Sequence, residues 1–296
     1  MALNSPCGLP RKWRDSINCG CKINLRLKVT GCRPDGLHNL SSCFLFLDEP
    51  GDMLTIESCE NGMILETPGY PELAGRNNLV WRAAEKFAEA GKITPDWRII
   101  LEKNVPLAAG LGGGSADAAG VLLLLNRHYQ LFDAADLEEM AFSLGADVPF
   151  FLSRKAAWVS GAGEKIEIIE KLPDLPQILI VNPAFPVSAK WAYTHLDKAL
   201  IGADDPAMKE SFLSGKVNWS EFCRNDLAAA VMEKFPLLTL LEKSLCDHGA
   251  LKVLVSGSGP SLFALFDSGA AGAAEKLRRE YSGFEMLKIF LPGSVQ

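Results

Sequence analysis

From Val105 the chain reads Val-Pro-Leu-Ala-Ala-Gly-Leu-Gly-Gly-Gly-Ser-Ala-Asp-Ala-Ala-Gly, and no other stretch constrains its fold as strongly. Four glycines, Gly110, Gly112, Gly113 and Gly114, fall within five positions. Trp97-Arg-Ile-Ile-Leu upstream reads as a strand, and Ala116 to Asn126 downstream is a run of strong helix formers. The glycines therefore make a strand-to-helix turn. Glycine lets backbone approach a ligand closely and adopt positive φ, at a cost in chain entropy that an ordinary cap does not require. A cap formed by Ser115 or Asp117 would account for one Ser and one Gly, not for four glycines. The helix that follows directs unpaired N–H groups and a positive dipole end into the turn, an arrangement suited to an anion, most often phosphate.

Two familiar phosphate templates fail. A P-loop ends in Gly-Lys-Ser/Thr, whereas Gly114 is followed directly by Ser115. A dinucleotide fingerprint counted from Gly110 needs Gly or Ala at position 115 and belongs to an early βαβ unit.

Three further blocks stand in order along the chain. Cys21-Lys-Ile-Asn-Leu-Arg-Leu leads to Arg33-Pro-Asp-Gly-Leu-His-Asn-Leu. Gly145-Ala-Asp-Val-Pro-Phe-Phe-Leu follows the glycine loop, and Val255-Ser-Gly-Ser-Gly-Pro-Ser-Leu-Phe-Ala-Leu-Phe stands near the end. With Pro106 to Ala119 these blocks resemble the GHMP kinases, whose signature is Pro-x-x-x-Gly-Leu-Gly-Ser/Gly-Ser followed by small residues. The likeness runs from about Lys22 to Leu287 and is greatest to members that act on a diphosphocytidyl sugar alcohol of the non-mevalonate isoprenoid route. It implies an α+β chain with the two-domain GHMP kinase fold, an N-terminal domain like ribosomal protein S5 domain 2 and a ferredoxin-like C-terminal domain, with the active site between them.

The resemblance also assigns residues. Pro106, Leu107, Ala108, Ala109, Gly110, Leu111, Gly112, Gly113, Gly114, Ser115 and Ala116 are expected to bind ATP, with Asn78 and Lys103 near the adenine. Lys22 and Asp147 match the catalytic pair, Asp147 as the base and Lys22 beside it. Asn24, His38 and Tyr193 are expected at the substrate, His38 and Tyr193 on the cytosine. ATP is the implied co-substrate, with a divalent cation, expected to be magnesium. No Asp/Glu pair identifies the metal ligands, although Ser115 is a candidate. The chain departs from the family at Leu37, where an aromatic usually precedes the His, and at Gly20-Cys21, where Pro-Ala is usual.

Without the resemblance, blander readings compete. Asp147 before Val148-Pro149 reads as a turn residue ahead of an extended segment. Lys22, Asn24, Arg26 and Lys28 alternate with Ile23, Leu25, Leu27 and Val29, as on the solvated face of a half-buried strand. His38 ends a turn, Asn78 is a good helix cap, and Ser256-Gly-Ser-Gly-Pro is a tight hairpin. Two other functions share the motifs: a GHMP kinase for another alcohol, suggested by Leu37, and a catalytically silent ligand-binding relative, suggested by Gly20-Cys21. Replacing Gly113 by Ala is expected to obstruct the phosphates.

Composition bounds the remaining options. A chain of 296 residues with 48% hydrophobic content fills one large domain or two ordinary ones. A net charge of −6 does not suit a nucleic-acid surface, and no apolar run reaches membrane-spanning length. Eight cysteines show no zinc-like spacing, and the start has no signal-peptide core. The expectation is reduced thiols, a cytoplasmic location, and a small molecule as the only partner class. Oligomeric state is not legible. Residues 1–18 match nothing in the family and read as a disordered extension. Residues 19–171 and 172–296 are expected as the two domains, divided at Leu172-Pro-Asp-Leu-Pro.

Overall fold

The computed structural model describes residues 12–60 and 62–293. Among these the strands form three sheets. The first has the order β1-β4-β6-β5, with β1 at Arg14–Asn18, β4 at Met53–Ser58, β5 at Ile64–Glu66 and β6 at Trp97–Glu102. The second runs β10-β2-β3-β7-β8, with β2 at Cys21–Cys32, β3 at His38–Leu47, β7 at Ala157–Gly161, β8 at Lys165–Ile168 and β10 at Arg224–Asn225. The third runs β11-β12-β9-β13, with β9 at Gln177–Asn182, β11 at Lys252–Val255, β12 at Leu262–Phe266 and β13 at Lys288–Phe290. Pairing is antiparallel except at β5–β6 and β10–β2.

The helices divide into two groups. The first half holds α1 (Leu79–Gly91), α2 (Gly113–Tyr129), α3 (Ala134–Leu144) and α4 (Val148–Ser153). The second half holds α5 (Ala189–Thr194), α6 (Pro206–Leu213), α7 (Trp219–Phe222), α8 (Ala228–Lys234), α9 (Pro236–Asp247) and α10 (Ala270–Glu280). One core joins α1 to α4 with the first sheet and with Phe44 and Phe46 of β3. The alternate residues of β3, Cys43, Leu45 and Leu47, face a second core shared with β9 and β12 of the third sheet. A third core lies between β9, β12 and helices α8, α9 and α10. Every residue of β12 is buried, as expected of a strand covered on both faces. This mixture of sheets and helices is of the expected α+β class.

The structure corrects three expectations. Residues Arg14–Asn18 are not an extension but the edge strand β1, paired with β4 from Arg14↔Glu57 to Asn18↔Met53. Trp13 stacks on His128 at a centroid distance of 4.2 Å, and Ser16 shares a 2.8 Å hydrogen bond with Thr55. Residues 1–11 of that expected extension lie outside the described residues. Second, Val148 onward is not extended but forms α4, with Pro149 in its first turn, where the missing N–H costs nothing. Third, the polar face of β2 is not solvated. Lys22, Asn24, Arg26 and Lys28 are all buried.

Alternation along β2 is also interrupted. Register shifts between Asn24 and Arg26, where Asn24 pairs with Phe44 and Arg26 with Cys43. The bulge turns the strand by one residue. Beyond it Arg26 leaves the face of Lys22 and Asn24 and bonds Asp204 and the Phe222 carbonyl, while Lys28 pairs with Asp226. The proline-bearing segment expected to separate two domains lies between β8 and β9, yet the later chain returns to the second sheet through β10.

Candidate active site

The glycine loop runs from the end of β6 into α2. Its N-cap is Gly112, at φ +72, and no side chain caps the helix, so neither Ser115 nor Asp117 does so. Gly110 also has positive φ, and a Cβ there would stand 2.1 Å from the Ser256 carbonyl oxygen. Glycine at this position is therefore demanded by packing as well as by conformation. The Ser256 hydroxyl donates to the Gly110 carbonyl at 3.0 Å, and the Ser261 N–H donates to that of Ala109. The turn after β11 thus braces the loop.

The loop divides two cavities. One, of 710 Å³, is lined by Lys22, Asn24, Leu27, Leu37, His38 and Asp147 among others. The second, of 350 Å³, is lined by Pro106 to Gly110, Gly112 to Ser115, Asn78, Lys103 and Asp117. Gly110, Gly112 and Ser115 border both. Leu111 and Ala116, expected with the ATP residues, border neither and are buried in the core.

Lys22 and Asp147 stand in the first cavity. The Lys22 N–H donates to the Leu111 carbonyl at 2.9 Å, tying β2 to the loop. Lys22 Nζ donates to Asn24 Oδ1 at 2.6 Å and lies 3.8 Å from Asp147 Oδ2. Asn24 is held in turn by Ser42, to whose hydroxyl its amide donates at 3.1 Å. Burial pushes the Lys22 ammonium below its ordinary pKa, and the Asp147 carboxylate opposes that shift. Asp147 opens α4 without capping it, which leaves its carboxylate to the cavity. A half-exposed carboxylate beside a buried cation can accept a proton or orient a hydroxyl.

His38 and Tyr193 meet at the far end of the first cavity, stacked with centroids 5.1 Å apart. Leu37 lines the same cavity and is 50% exposed. Gly20 and Cys21 do not line it. Gly20 has φ +68, and a Cβ would stand 2.5 Å from the Phe46 ring; Cys21 is fully buried. Their departure from the family pattern therefore belongs to the core.

The second cavity places Asn78 and Lys103 together, but both are already engaged. Asn78 caps α1 by accepting from the Val80 N–H at 2.9 Å and donates to the Leu73 carbonyl. Lys103 is bonded to Asp52 and to Asp117, the latter at 2.7 Å. Asp52 also accepts from the Val105 N–H at 2.8 Å, and so anchors the start of the loop. Gly113 differs from expectation too. A Cβ there would meet Val105 Cγ1 at 2.9 Å, in the core, whereas one on Gly114 finds only Leu79, at 3.9 Å.

Sequence reasoning missed Asp52 and Asn225, and it considered Asp117 only as a cap. Asn225 donates to the carbonyls of Val255 and Gly257, fixing the turn that carries Gly257 and Ser258 into the first cavity. Asp52 and Asn225 sit in unremarkable stretches, and only their distant partners distinguish them. For Asp117 there was a signal: a carboxylate in a stretch, Ala116 to Leu125, that is otherwise apolar.

A glycine loop that begins a helix between two cavities, with a lysine–aspartate pair in the first of them, defines a small-molecule kinase site. The family model for the GHMP kinases N terminal domain matches residues 78–155, and that for the GHMP kinases C terminal matches residues 217–283. A 4-diphosphocytidyl-2-C-methyl-D-erythritol kinase of Chelativorans sp. is 37% identical over 269 residues, 89% of this chain and 91% of that protein. Its counterpart in Geobacter sulfurreducens is 35% identical over 273 residues, 89% and 94% of the two chains. A crystal structure of 4-(cytidine 5'-diphospho)-2C-methyl-D-erythritol kinase superposes with a TM-score of 0.77 at 31% identity, covering 95% of this chain and 100% of that one. Homoserine kinase from Cytophaga hutchinsonii, at 17% identity and a TM-score of 0.70, covers 100% of this chain and 98% of its own and shares the fold. The chain belongs to the 4-diphosphocytidyl-2-C-methyl-D-erythritol kinase family of GHMP kinases.

Proposed function

We propose that the protein transfers the terminal phosphoryl group of ATP to the 2-hydroxyl of 4-diphosphocytidyl-2-C-methyl-D-erythritol, a step in the non-mevalonate route to isoprenoids. The observation that carries this reading is the position of the glycine loop as the shared wall of two cavities, with Lys22 and Asp147 in the first of them. ATP occupies the second cavity, its phosphates on the N–H groups of Gly112 to Ser115. The sugar alcohol occupies the first, its cytosine at Tyr193 and His38. Asp147 accepts the proton of the attacking hydroxyl, and Lys22 holds that carboxylate in place. Phosphoryl transfer has a loose, anionic transition state, so most of the acceleration comes from positioning and positive charge.

Among the described residues no group of three or more His, Cys, Asp or Glu side chains could hold a metal ion. That fits magnesium delivered on nucleotide phosphates, which keeps most of its waters and takes few protein ligands. Ser115, bordering both cavities, would hold it, and the ion would neutralise developing phosphate charge. No described helix is long and apolar enough to cross a membrane.

Leu37 favours a second reading, a kinase for another alcohol, because an aliphatic side chain stands where stacking on a base is expected. A coupled assay of ADP release separates the two. Turnover is expected with the diphosphocytidyl alcohol, and not with galactose, homoserine or mevalonate at equal concentration. ADP release from one of those alcohols without release from the diphosphocytidyl substrate would select the second reading.

A further inference from the structure

Helix α5 lies along the first cavity and connects its two ends. Just before the helix the Val187 N–H donates to the Ala108 carbonyl at 3.3 Å, which ties this segment to the glycine loop. Toward the far end of the helix Tyr193 stacks on His38. Ala189, Lys190, Tyr193 and Thr194 line the cavity, the spacing of one helix face, whereas Ala192 is buried in the third core. Lys190 therefore sits one turn back from Tyr193, on the side of the helix that is tied to the loop, and residues so spaced are neighbours about 5–6 Å apart.

Charge bookkeeping singles out the same residue. The lysine and aspartate side chains that border this cavity are Lys22, Asp35, Asp147 and Lys190. Lys22 pairs with Asp147 at 3.8 Å, and Asp35 pairs with Arg33 at 3.2 Å. Lys190 is exposed and, among the described residues, forms no ion pair. Its ammonium is the charge left over once the pairs are counted. A lysine in that state offers a phosphate a compact point charge with three rotatable donors.

We infer that Lys190 holds the diphosphate of the diphosphocytidyl alcohol and so selects a charged bridge between the base and the alcohol. The inference rests on the first cavity being the site of that substrate. With the cytosine at Tyr193 and His38 and the hydroxyl at Asp147, the diphosphate spans the stretch between them, beside which α5 places Lys190. Lys22 is not free for this task, since its ammonium is already engaged by Asn24 and Asp147.

Calorimetric titration of the full chain, with the second cavity saturated by ADP, compares cytidine with cytidine 5'-diphosphate. The parent should bind the diphosphate about tenfold more tightly than the nucleoside. That advantage should shrink as salt is raised, because an exposed charge pair is screened. Lys190→Met should lose most of the advantage while its affinity for cytidine stays that of the parent. Lys190→Arg, which keeps the charge, should retain most of it. Because Lys190 is exposed, neither substitution should change Tm. Tyr193→Ala should instead weaken both ligands alike. An undiminished advantage in Lys190→Met, or a parent that binds the two ligands equally, overturns the role of Lys190 and leaves the cytosine site standing. Absence of saturable binding of either ligand by the parent overturns the substrate reading itself, and this inference with it.

Discussion

Lys22 Nζ lies 3.8 Å from Asp147 Oδ2, with the lysine side chain 5% and the aspartate side chain 38% exposed. The cation is withdrawn from water while its partner keeps one side open to the cavity. Such a pair holds a carboxylate in place without hiding it from a substrate hydroxyl.

Asp147→Asn should therefore lower kcat by roughly 10²–10⁴ with a much smaller effect on ATP affinity. Lys22→Met should also lower kcat, and the double variant should lose less than the product of the two factors, because the groups act as one unit. Steady-state kinetics of the three variants checks this, and unchanged turnover in both single variants would remove the pair from the mechanism.

In the loop, Gly113 and Gly114 should behave differently. A methyl on Gly113 presses on Val105, so Gly113→Ala is expected to destabilise the protein by about 1–3 kcal/mol through overpacking. A methyl on Gly114 finds space on the side of the second cavity, so Gly114→Ala should raise the ATP requirement with little change in Tm. Denaturation and ATP titration of both proteins decide. Equal melting points with equal ATP binding would make the loop's contacts irrelevant to both.

Substrate identity turns on Leu37 and Tyr193. Leu37→Tyr should tighten binding of the diphosphocytidyl alcohol by up to about 1–3 kcal/mol, and Tyr193→Ala should weaken it by a similar amount. Neither change should alter ATP binding. Weaker binding in Leu37→Tyr would indicate a pocket that holds no base.

Stability should depend on pH through Asp117. Its carboxyl is raised to about 7 in the folded protein, against roughly 4 when unfolded. The folded state then binds more protons between these values, so stability falls as pH rises from about 4 to 7 and levels off above. Tm of the parent should drop more steeply between pH 5 and 7.5 than that of Asp117→Asn at constant ionic strength. Parallel curves would count against the assignment.

Much of the site was legible because its chemistry is local. The glycine loop betrays itself by a glycine cluster at a helix start, whereas Lys22 with Asn24, Asp147 and the turn at Ser256 were assigned by the resemblance, their own surroundings reading as a strand face, a turn and a hairpin. The alternation along β2 was legible in part. It predicted a shared face for Lys22 and Asn24, but the bulge before Arg26 depends on pairing with β3 and leaves no mark in the strand's own sequence. Arg14–Asn18 shows the same limit. These five residues form a strand because the edge of β4 is open to them.

What the sequence by itself determined is the class of chemistry: an anion-binding turn at a helix start, the family that uses it, and the polar residues that family places nearby. The tertiary structure alone decided which of those residues face a cavity and which are engaged elsewhere. Lys103 carries a sequence signal of a nucleotide ligand, yet Asp52 and Asp117, fifty-one and fourteen positions away, hold it beneath the loop. Leu111 and Ala116 belong to the motif but face the core. The reason is physical. Backbone conformation follows from neighbours along the chain, whereas burial, charge pairing and the walls of a cavity are made by segments that meet only when the chain has folded.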